Sequence, residues 1–180
     1  MPTQGPLSPS AASDNSLLGT IAWANASNVY ASDDSKATAV LTVTDLISHC
    51  LVATGFGFTL PTNAVVSGIL VAVERVSAVG DVTDAAVRIV KGGSIGSTDR
   101  SSVALWPGSD DYASYGSSTD LWGESWTSAQ VNAADFGVAV SGKTAALGGV
   151  ISIDHIRITV TFTIPPIVGV RSEHRLMGLP

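Results

Sequence analysis

Charge is what this sequence has least of. Of its 180 residues, 13% are Asp, Glu, Lys or Arg, about half the roughly 25% of an ordinary soluble domain. Soluble monomers are kept apart largely by charge. A chain so poor in it, with a mean hydropathy of +0.34, is expected to bury part of its outer surface against other copies or partners. Cations are the scarcer sign: nine Lys and Arg face fifteen Asp and Glu, a net charge of −6. They are scattered along the chain, so there is no basic face to displace counterions from phosphates, and direct nucleic-acid binding is excluded. Cys50 is the single cysteine. It rules out an intrachain disulfide and, in its apolar run, reads as a small buried hydrophobe. Apolar runs long enough to span a bilayer are missing. The opening MPTQGPLSPS has neither the cationic start nor the apolar stretch of a signal peptide. The expectation is a protein made in a cytoplasm that works in water without touching a membrane.

Helical periodicity is also scarce, and what is present is strand. VISIDHIRITVTFT at 150–163 alternates over its length, with Ile156, Ile158, Val160 and Phe162 on one face and His155, Arg157, Thr159 and Thr161 on the other. FGVAVS at 136–141 and DAAVRIVK at 84–91 alternate likewise. VVSGILVAVERV at 65–76 is apolar on both faces, as a central strand is. CLVATGFGFTLP at 50–61 reads as a further strand with Phe56 and Phe58 on one face. The β-branched run at 38–43 places the first strand of the body. One helical start appears, where Thr127 and Gln130 have capping-box spacing. Short strands, turn clusters and a single short helix predict an all-β fold: one antiparallel β-sandwich, jelly-roll-like, over residues 21–164. Residues 1–20, with three prolines and no periodicity, read as an extended N-terminal arm. Pro165 and Pro166 end the last strand and leave 165–180 as a C-terminal tail.

Convergent catalytic chemistry is hard to find. His49 and Cys50 are neighbours on a strand and point to opposite faces. His155, next to Asp154 on an outward face, reads as a solvated histidine. KGGSIGSTDR at 91–100 lacks phosphate-loop spacing and is read as a flexible connection. Asp33 with Asp34, and Asp110 with Asp111, lack the alternating spacing of calcium ligands. No metal or cofactor is expected, and the chain reads as not an enzyme. The densest stretch is YGSSTDLWGESW at 115–126. If it were extended, Asp120, Trp122, Glu124 and Trp126 would share one face, as a sugar platform or a pair of glycosidase acids requires. Their apolar neighbours Leu121, Val131 and Phe136 favour a structural corner built on Trp122, Trp126 and Phe136.

The order of segments is more specific than composition. YASDDSKATA, ATGFGFTLPTNAVVSGILVAVER, DAAVRIVKGG, YGSSTDLWGESWTSAQVNAADFGVAV and IDHIRITVTF together resemble β-sandwich virion structural proteins of tailed bacteriophages and prophages, over about residues 20–163. The resemblance implies a virion component, with no catalytic residues to carry over. The resulting expectation is a capsid decoration, or cement, protein that forms a homo-oligomer, a trimer, on the head and contacts the major capsid protein or another virion protein. A tail, neck or fibre component is the first alternative and a carbohydrate-binding module the second. In the tail, Ile167, Val168, Val170, Leu176, Met177 and Leu179 around the cations Arg171 and Arg175 read as an attachment peptide.

Overall fold

Two long strands form the spine. In the computed structural model, which describes residues 1–41, 46–144 and 148–166, β10 (Gly149–Thr163) pairs antiparallel with β5 (Val65–Val79) from Val150 opposite Val79 to Thr163 opposite Val65. On the other side of β10 lie β3 (Ala37–Leu41), along its first half, and β1 (Thr3–Leu7), along its second. β8 (Asp111–Gly116) flanks β5. The second five-stranded sheet has the order β2 (Ala11–Asn15), β4 (Cys50–Thr54), β9 (Gly137–Thr144), β6 (Val82–Lys91), β7 (Ser94–Asp99). The chain changes sheet at every connection except the β6–β7 hairpin. The fold is thus a jelly-roll-like antiparallel β-sandwich. Ile69, Val71 and Val73 of β5 and Ile156, Ile158 and Val160 of β10 fill the space between the sheets together with Val87, Ile89, Val138 and Val140, as alternation requires.

The local signals explain most of the rest. Thr127 caps α1 (Ser128–Asn132), its hydroxyl accepting from Gln130 N while the Gln130 side chain accepts from Thr127 N, the reciprocal arrangement of a capping box. Residues 1–20 carry two short strands that order on the sandwich itself: β1 joins the first sheet and β2 the second. Phe56 and Phe58 are not on a strand. Gly55 and Gly57 adopt positive φ, β4 ends at Thr54, and both rings are buried by an irregular segment. The 91–100 segment is not a loose connection either. Gly92 and Gly93 both take positive φ, the requirement of a tight hairpin turn, and return the chain as β7. Residues Ile167, Val168, Val170, Arg171, Arg175, Leu176, Met177 and Leu179 lie outside the described residues. No described helix is long and apolar enough to cross a membrane.

One polar cluster is sealed between the sheets. Arg75, on β5, donates through Nη1 to Asp84 Oδ1 on β6. Asp84 also accepts from Trp106 Nε1 at 2.8 Å, Tyr115 OH at 2.9 Å and Ser102 N at 2.8 Å. The Arg75 guanidinium lies over the rings of Trp106 and Tyr115, 5.0 and 5.7 Å from their centroids. Burial, then the Asp84 charge, pushes the Tyr115 phenol well above its ordinary range. Removing one member of such a pair strands the other in a dry environment. Asp84→Ala is therefore expected to lower unfolding free energy by about 3–5 kcal/mol. Replacing Arg75 and Asp84 together by Met and Leu should cost less than Asp84→Ala alone. Urea titration of the three proteins checks this.

Candidate functional site

The Trp-rich stretch resolves into consecutive turns rather than a strand, so Asp120, Trp122, Glu124 and Trp126 do not share a face. Trp122 takes a left-handed backbone, φ 58°, held by its own N–H donating to Asp120 Oδ1 at 2.8 Å. Its ring is fully buried and donates through Nε1 to Ile69 O at 3.0 Å. Trp126 meets the buried Phe136 edge-on, with centroids 5.3 Å apart, and donates to Leu121 O. The two acids are occupied. Asp120 accepts both Arg100 Nε and Nη2, at 2.7 and 2.9 Å, which holds its carboxyl below the ordinary range. Glu124 accepts from Lys91 at 3.0 Å. Trp122, Trp126 and Phe136 form one packed corner, and neither a sugar platform nor an acid pair is present there.

The unspent chemistry lies instead on the outer face of the first sheet. β10 carries a bulge: Ile153 is opposite Arg75 and His155 is opposite Glu74, so Asp154 is the extra residue. Inward positions are odd-numbered before it (Ile151, Ile153) and even-numbered after it (Ile156, Ile158, Val160). His155, Arg157 and Thr159 consequently project outward, in cross-strand rows with Glu74 and Tyr112, with Ala72 and Ser114, and with Leu70 and Gly116.

His155 is not the solvated side chain its position suggests. It is 9% exposed, and its ring is held at both ends, Nε2 by Ser8 Oγ and Nδ1 by Tyr112 OH, each at 2.8 Å. Ser8 belongs to the link between β1 and β2, which folds across the sheet edge. Burial first, then the nearby Arg157 charge, holds His155 below its ordinary 6.5. The Tyr112 phenol is raised by burial and then by Glu74. Asp154 is 2% exposed. Its Oδ2 accepts from Asp34 N at 3.3 Å, and burial raises its carboxyl. Lys36 bonds Asp110 at 2.9 Å and Asp34 at 3.5 Å, so these two turn acids are balanced by a lysine. Among the described residues no group of three or more His, Cys, Asp or Glu could hold a metal. His49 bonds Asp14, 2.7 Å away, and Cys50 is buried.

Beside this cluster runs a shallow groove of about 190 Å³, lined by Pro6, Leu70, Ala72, Ser114, Arg157 and Thr159. A second hollow of about 220 Å³ lies at the β8 edge against Asp111, Tyr112, Leu105 and Pro107. The Arg157 guanidinium stacks 3.9 Å from the centroid of Tyr112. The sequence signal for this face was the switch of the Ile series in ISIDHIRI from odd to even positions. Taken over the whole strand, it locates the bulge.

No protein-family profile and no curated protein matches this chain. A solved structure described in the words "CBM4 structure and function" aligns over 82% of this chain and 92% of its own length, at 9% sequence identity and a TM-score of 0.45. The expectation of a capsid decoration protein is corrected here: what aligns is described as a carbohydrate-binding module and not as a virion protein, and the tail that was to attach the chain to a head lies outside the described residues.

Two outcomes are expected from this geometry. Trp122→Ala should leave a cavity costing about 3–5 kcal/mol, seen as a lowered urea midpoint. His155 should make stability pH-dependent. Its folded pKa lies below its unfolded one, so the unfolded chain takes up the proton first. The contribution is complete above about 6.5 and is lost as pH falls through that value toward the folded pKa. Urea midpoints measured from about pH 8 to about pH 5 should fall more steeply for the parent than for His155→Gln.

Proposed function

We propose that this chain is a non-catalytic glycan-binding module that holds its ligand on the outer face of the first sheet. The carrying observation is the groove across β1, β10, β5 and β8. Its floor of Leu70, Ala72 and Pro6 offers an apolar surface for the C–H face of a sugar ring. Ser114, Thr159 and Arg157 supply hydroxyl and guanidinium groups that match sugar hydroxyls. At about 190 Å³ it is smaller than the roughly 300–1,000 Å³ of a pocket that encloses a drug-sized molecule. It suits a chain lying across the sheet with one ring seated at a time.

The neighbouring cluster supports binding over catalysis. Ser8, His155 and Tyr112 form a hydrogen-bonded chain, but the group that orients His155 is a phenol and not a carboxylate. Burial and Arg157 both oppose the imidazolium that a general base must become. The chain fixes the Tyr112 ring, and through it Arg157, beside the groove.

Affinity electrophoresis against neutral and acidic polysaccharides tests the proposal. Retardation is expected with at least one class. Ser114→Tyr, which fills the groove from an exposed position, should abolish it with the melting temperature unchanged. The same change at the exposed Ser97, on β7 of the other sheet, should have no effect. Retardation that survives Ser114→Tyr would refute the groove as the site.

A further inference from the structure

Among the described residues, arginine is otherwise spent on acids. Arg75 pairs with Asp84, Arg88 with Asp99 at 3.2 Å and Arg100 with Asp120 at 2.7 Å. Arg157 is the exception among the described residues, making neither a hydrogen bond nor an ion pair to them and meeting only the face of Tyr112. The chain holds fifteen acids to nine cations, so an unpaired arginine does not follow from a shortage of partners. Glu74 is the nearest acid along the sheet. It stands in the row of His155 rather than that of Arg157, beyond ion-pair distance, and its Oε2 is buried without a partner among the described residues.

Tyr112 limits what Arg157 can do. A guanidinium stacked on a ring keeps its plane fixed and its N–H donors, which lie in that plane, free for another group. Tyr112 is itself pinned through His155 to Ser8. The donors are therefore positioned in advance at the groove wall, next to the Ser114 and Thr159 hydroxyls. A planar fork of donors fits the two oxygens of an oxyanion better than it fits a neutral hydroxyl.

Resting on the glycan-binding reading above, we infer that the groove selects sugars bearing an oxyanion, a carboxylate or sulfate substituent, through Arg157. The two ligand chemistries share the same donors, and the probes distinguish them. Isothermal titration would compare a neutral oligosaccharide, a uronate oligosaccharide of the same length and a sulfated one, each against the full chain. One acidic probe should bind roughly ten- to a hundredfold more tightly than the neutral one, the worth of a charge-assisted pair. That preference should shrink with added salt. Arg157→Gln should remove it with the melting temperature unchanged, the acidic probe losing far more affinity than the neutral one. Arg157→Lys should recover little, because a point charge lacks the fork and the stack. Equal affinity for neutral and acidic probes, or a preference that survives Arg157→Gln, would overturn the inference and leave the glycan reading standing. Binding to none of the three would overturn both.

Discussion

Side-chain parity decides which half of a strand meets water, and in β10 it is reset once, at Asp154. Before the bulge the odd-numbered isoleucines point inward; after it the even-numbered ones do. Without that extra residue, either Ile151 and Ile153 would be turned out to solvent or Arg157 and His155 would be driven into the core. The cost of the irregularity is visible beside it. Asp154 is buried, and its Oδ1 has no hydrogen-bond partner among the described residues. Bulges commonly re-aim side chains near functional sites, and here the re-aimed set is His155, Arg157 and Thr159.

The two sheets are held in register by a different device. Hydrophobic contact between sheet faces is non-directional and tolerates sliding. The Asp84 carboxylate, accepting from Arg75, Trp106, Tyr115 and a backbone N–H of the β7–β8 connection, does not. Four donors from β5, β8 and that connection converge on one residue of β6, so the offset between the sheets is specified by hydrogen-bond geometry. This also sets the β7–β8 connection, and with it Leu105 and Pro107, beside Tyr112.

The fold was legible where a pattern is local. Alternation located β6, β9 and β10, an apolar run located β5, and the spacing of Thr127 and Gln130 located α1, because pleat and cap follow from a few adjacent residues. The site was less legible. His155 reads as solvated in any view that counts only its own strand. Its ring is held by Ser8 and Tyr112, 147 and 43 residues away in sequence, pairings that no local rule supplies. Trp122 and Trp126 drew attention through their density, yet the left-handed turn at Trp122 breaks the even spacing that would have aligned them with Asp120 and Glu124. Gly92 and Gly93 looked loose for the same reason: glycine permits disorder and a tight hairpin equally, and only the pairing of Lys91 with Ser94 distinguishes them.

The opening strands have a consequence for the order of assembly. β2 pairs with β4, some forty residues on, whereas β1 pairs Thr3 with Thr161. β1 therefore waits for β10, which is made after every other described strand. Until β10 exists, one side of this clasp can close onto the second sheet while the other hangs free, and Ser8, at the joint, has no His155 to bind. The groove wall at Pro6 is thus the last part of the face to be put in place. If the face binds as proposed, its dependence on the longest-range strand pairing among the described residues makes binding report on completed folding: species that have built the core but not docked β1 would be compact, yet unable to bind.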